Sequence, residues 1–210
     1  MARNGMRRAA ALAVGLAVAA GMTGCRVHVN KDANGQEKKV EVDTPFGGVH
    51  VNTDPLSAAE LGLPAYPGAV AMKSDEHQSA DVHLGFGQWE MRVRVASYQT
   101  SDSKDKVSAF YKKALSRYGD VITCKDNDPV GTPTTTSQGL TCADGGKNGQ
   151  KININAGDFH YNPNGTELKA GSKRHQHIVG FKEPQDGKTQ FALVTLDLPA
   201  DTDSGSGKSD

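Results

Sequence analysis

His175 and His177 stand two apart in the segment "RHQHIVGFKE", residues 174–183. On a strand, that spacing sends both imidazoles to one face, and two nitrogens so placed could hold zinc or copper. A third donor would have to come from elsewhere, with His160, His83, Asp158 and Glu183 as candidates. The competing expectation is two solvent-facing histidines at a strand start, since Lys173 and Arg174 precede them and nearby cations disfavour another cation. His28 and His50 occupy matching places in "VHVNKD" and "VHVNTD". If those units pair in register, the two rings approach each other; otherwise each fills a polar strand position. No Gly-x-Ser-x-Gly is present, "GGVH" lacks the Lys-Ser/Thr of a phosphate-cradling loop, and no carboxylates sit as a glycosidase pair would. The expectation is therefore no catalytic residue, no cofactor and no metal site, with His175 and His177 as the candidate ligands under the alternative reading.

The cysteines number three, an odd count. Cys124 and Cys142 lie at the ends of a Pro/Thr/Gly loop, where a disulfide would contribute about 3 kcal/mol by loop closure and would help a lean core in an oxidising compartment. Two free thiols or a metal pair are the alternatives. A disulfide leaves Cys25 spare.

What precedes Cys25 bears on its role. "MARNGMRR" carries three arginines and no acid, and "AAALAVGLAVAAG", residues 9–21, is an unbroken small-apolar run. As a helix it reaches roughly 20 Å, short of a hydrocarbon core of about 30 Å, as expected of an export signal. Met22-Thr23-Gly24-Cys25 then resembles the lipobox of bacterial lipoproteins: an aliphatic residue, two small residues, then Cys. Met in the first place is a small departure from the usual Leu. The resemblance implies removal of residues 1–24, lipidation of Cys25 with acyl chains of the palmitate type, and a lipid bilayer as partner. It places the protein in the cell envelope, and on the periplasmic face of the outer membrane where two membranes exist, because Arg26 rather than Asp follows the Cys. The alternative is an ordinary thiol after a conventional signal cut.

Around these residues the chain must build elements. Residues 26–53 hold three Val-x-Val units, at Val27, Val40 and Val49, with a turn signal at Asn34-Gly35; period-two alternation predicts short strands. They read as a tether or a small meander. "DPLSAAELGLP" predicts a short helix capped by Asp54 and ended at Gly62. "VHLGF" and "WEMRVRVAS" alternate cleanly and predict a hairpin with one wet face. In "SDSKDKVSAFYKKALSRYG", Val107, Phe110, Tyr111, Ala114, Leu115 and Tyr118 form a helical apolar stripe that Gly119 ends. "VITC", "LTC", "KININ", "RHQHIVGFKE" and "TQFALVTLDL" predict further strands, with a hairpin turn at Asp186-Gly187. The tail "ADTDSGSGKSD" is low-complexity and reads as disordered.

This order predicts an α+β fold: an antiparallel sheet with one main amphipathic helix on its face, preceded by a short β-rich segment. The expected divisions are 1–24 as signal peptide, 25–53 as β-rich segment, 54–199 as α+β domain and 200–210 as tail. The "YPGA" entry and the Phe-Tyr-x-x-x-Leu helix resemble an uncharacterised domain of bacterial envelope proteins across residues 63–124, a likeness that implies no activity. With 24 basic and 24 acidic residues, nothing points to nucleic acid. The expected function is a non-enzymatic, membrane-anchored envelope lipoprotein with a binding or structural role toward an envelope protein or polymer. The alternative is an envelope metal-binding protein using His175 and His177.

Overall fold

The computed structural model describes residues 25–31, 37–72, 79–144, 154–156, 159–161, 165–182 and 187–199. The expected export signal, the expected Asn34-Gly35 turn, residues 183–186 of the expected last hairpin, the start of "KININ" and the expected tail lie outside them. Thirteen strands occur among the described residues: β1 Arg26–Lys31, β2 Glu37–Thr44, β3 Gly47–Asn52, β4 Val70–Ala71, β5 Ser79–Phe86, β6 Trp89–Thr100, β7 Ile122–Lys125, β8 Asp128–Pro129, β9 Ile154–Ala156, β10 Phe159–Tyr161, β11 Thr166–Gly171, β12 His175–Phe181 and β13 Thr189–Asp197. One α-helix, α1 (Lys104–Leu115), runs into a 3-10 turn at Ser116–Tyr118.

Eleven strands form a single antiparallel sheet in the order β1-β2-β3-β5-β6-β13-β12-β11-β7-β8, with β4 also on β6; β9 and β10 pair separately. This overturns the α+β expectation. The fold is mainly β, with one short helix. The helix stripe is real, but it covers only part of the sheet. The Val-x-Val units do not stand apart: Gly47–Asn52 pairs in register with Asp81–Phe86, so β1, β2 and β3 extend the same sheet as a wing beyond the helix.

The long central strands follow from their alternation. Val93 and Val95 on β6, Ile178 on β12 and Ala192, Val194 and Leu196 on β13 bury one face. Ala96, Phe191, Leu193, Val179 and Leu168 bury the other, beneath Val107, Tyr111 and Leu115 of α1. Gly87 turns the β5–β6 hairpin with φ +62°, a conformation that glycine adopts without a Cβ penalty. Three tyrosines tie the entry segment to the helix and its N-terminal approach. The hydroxyls of Tyr111, Tyr118 and Tyr66 donate to Pro64 O (3.2 Å), Gly62 O (2.5 Å) and Asp102 Oδ2 (2.9 Å).

Other expectations shift. Residues 58–62 form hydrogen-bonded turns rather than a helix: Ser57 and Glu60 cap each other as at a helix start, but Gly62 at φ +70° closes the segment at once. Residues 140–142 are not a strand; Cys142 is nevertheless bonded to Cys124, S–S 2.00 Å. An unpredicted strand, β11, lies between β12 and β7. Its Glu167 and Lys169 are 4% and 3% exposed, and charged residues at alternate places disguise an interior strand.

Candidate functional site

Register assembles a polar row on the sheet face that also carries α1. His28 pairs with Glu41, Glu41 with His50, His50 with His83, His83 with Arg92, Arg92 with Asp197 and Asp197 with His175. Directly opposed residues of antiparallel strands point to the same face, so seven titratable side chains cross β1, β2, β3, β5, β6, β13 and β12 in one line. The apolar positions between them, Val29, Val40, Val51, Val82 and Val93, form a matching row on the opposite face. Strand alternation thus produces the site: the same period that puts the valines on one face lines up the charges on the other.

Acidic groups flank a run of three basic residues, His50, His83 and Arg92. His50 Nδ1 lies 3.0 Å from Glu41 Oε1 and His50 Nε2 lies 3.6 Å from Asp43 Oδ1. The rings of His50 and His83 stack with centroids 6.0 Å apart. Arg92 grips Asp81 through Nε at 2.8 Å and a terminal nitrogen at 2.5 Å. That hydrogen bond, more than the opposing desolvation, raises the guanidinium pKa further. His175 Nδ1 meets Asp197 Oδ1 at 2.9 Å. A depression of about 300 Å³ opens between Lys39, His50, Asp81, His83 and Arg92. The pairs are wet, with side-chain exposures of 41% for His50 and 66% for His175, so each contributes little to stability. What the arrangement offers chemically is a fixed row of basic and acidic groups on one face of a sheet.

The predicted metal pair is divided by its surroundings. His175 is spent on Asp197, while His177 stacks on Tyr118 with centroids 3.6 Å apart. Burial pushes the His177 imidazole below the ordinary histidine value, opposed by the Leu61 backbone. Of the candidate third donors, His83 lies three strands from His175, about 14 Å away at the usual strand spacing. Asp158, Glu183 and the side chain of His160 lie outside the described residues. Glu41, Asp43 and His50 do offer donor atoms within 4.8 Å of one another, the one such trio among the described residues. The units of His28 and His50 do not pair with each other: β2 lies between them, and Glu41 stands between the two histidines in the row. Sequence reasoning missed Glu41, Asp43, Asp81 and Asp197. Each occupies an unremarkable polar place in an alternating strand, and only cross-strand register brings them together.

At the head of β1, Cys25 is a free, exposed thiol. No family model, curated protein or solved structure matches this chain.

Proposed function

We propose that the chain is a non-enzymatic lipoprotein of a bacterial cell envelope, exported by residues 1–24 and held to the membrane by acyl chains on Cys25. In this reading the mainly-β body presents its polar row to an envelope protein or polymer, on the periplasmic face of the outer membrane where there are two membranes. The carrying observation is the register of a basic start, a thirteen-residue apolar run and Met22-Thr23-Gly24-Cys25. Two facts support it. Cys124 and Cys142 are bonded to each other, which leaves Cys25 exposed and free to be modified. Among the described residues no helix is long and apolar enough to cross a membrane, and two or more acyl chains anchor stably where one holds marginally. Growth of an expressing bacterium with labelled palmitate tests the reading. Wild type takes up label and a Cys25→Ala variant does not; label surviving in the variant overturns the anchor.

The Glu41, Asp43 and His50 trio supports a second reading, divalent-cation binding. One nitrogen and two carboxylate oxygens suit a borderline metal such as zinc. Calorimetric titration with Zn²⁺ then gives one equivalent that a Glu41→Gln/His50→Ala variant loses and a His175→Ala/His177→Ala variant keeps. Absence of binding heat in the wild type ends this reading.

A further inference from the structure

The turns of two hairpins and the first residue of β1 lie at one end of the sheet. Arg26 pairs with Asp43, which sets Cys25 level with Thr44; Thr44 pairs with Gly47, Gly47 with Phe86, and Phe86 with Trp89. At about 4.8 Å per strand this end is roughly 20 Å wide. It is apolar. Phe46, in the β2–β3 turn, is 83% exposed, the highest value among the exposed large hydrophobic residues described, and Phe86 is 49% exposed. Trp89 packs on Phe86 with ring centroids 6.0 Å apart. Val27, beside Arg26 on the edge strand, is 61% exposed.

The position of Cys25 says what meets this end. β1 begins at Arg26, so no linker separates the residue that would carry lipid from the sheet itself. Acyl chains on Cys25 draw the hairpin turns down to the headgroups along with them. We infer that this end of the sheet is a membrane-contact tip, in which Phe46, Phe86 and Trp89 enter the boundary between headgroups and acyl chains of the bilayer holding the Cys25 lipid. The inference rests on the anchor reading and adds to it a fixed posture, with the strands standing up from the surface. Aromatic rings suit that boundary because one part of it is apolar and the other wet. Charge does not drive the contact: Asp43 faces Arg26 across the strands, and Glu90 follows Trp89.

Trp89 is the single tryptophan of the sequence, so its fluorescence reads the tip directly. The acylated protein, labelled with palmitate as above, is reconstituted into phosphatidylcholine vesicles containing lipid brominated near the headgroup end of its acyl chains. Trp89 emission is expected to be quenched equally at low and high salt. In an acylated Phe46→Ser/Phe86→Ser variant the insertion equilibrium falls by about tenfold or more, the partition factor that a buried phenylalanine side chain carries. Label on Cys25 without Trp89 quenching overturns the tip and leaves the anchor standing. No label at all removes the anchor and the tip with it. Quenching unchanged in the double variant also overturns the tip. So does a blue shift that grows with protein concentration in lipid-free buffer, which would assign this end to a second copy of the chain.

Discussion

Lys169 shows how an individual charge is kept inside this protein. Its ammonium sits on β11 and donates to the carbonyl oxygens of Cys142, at 3.4 Å, and Asp144. Burial pushes its pKa below the ordinary lysine value, with Glu167 and then Asp144 opposing. The sign of the consequence follows from proton counts: between the folded and the unfolded pKa the unfolded chain binds the extra proton, so stability rises with pH across that window. Urea midpoints at pH 7 and about pH 9.5 should therefore diverge less in Lys169→Met than in wild type. The tyrosines that also titrate in alkali are common to both proteins and cancel. An identical pH dependence in the two would show that Lys169 carries no depressed pKa.

At the scale of elements, the join between β3 and β5 decides whether the wing belongs to the body. Gly47 is the tight point. A Cβ there would stand 2.1 Å from Gly85 O and 2.6 Å from a Phe86 ring carbon, whereas one at Gly85 meets nothing within 4 Å. Gly47→Ala should part the strands at that end at a cost of about 1–3 kcal/mol, the range for overpacking. Limited proteolysis would show faster cutting within residues 44–53, while Gly85→Ala would behave as wild type; equal protection in both variants would refute a tight join. Elements of this kind were unevenly legible in the sequence. The β5–β6 hairpin and the helix stripe through Val107, Tyr111 and Leu115 were readable because each obeys one period from end to end. β11 was not, because Glu167 and Lys169 break the apolar pattern of a buried strand. The polar row was half legible: His28, His50, His83 and His175 stood out by type, but Glu41, Arg92 and Asp197 acquire meaning only through pairings between residues far apart in the chain.

At the scale of the whole molecule, eleven of the described strands share one antiparallel sheet, with the N-terminal wing as the cover for β5. A fragment beginning at residue 54 would uncover the β5 edge, with the backbone of Val82 and Leu84 unpaired and apolar side chains beside it. Exposed edges of that sort template pairing with other chains. Size-exclusion chromatography should find residues 54–199 associated at concentrations where residues 25–199 are monodisperse; a monomeric fragment would mean that β3 contributes nothing to keeping the edge closed.

The wing moves the sheet's open margin outward to β1, all six residues of which are exposed. On a bilayer, that margin acquires a direction. Were Cys25 lipidated as proposed, every copy of β1 would point away from the surface, and two neighbours in the same leaflet could pair their β1 edges only in parallel. Antiparallel pairing, the commoner arrangement, needs one copy inverted, which a shared leaflet forbids. Tethering at the residue that precedes the strand would thus crowd the molecules together while denying them their easiest way to stick.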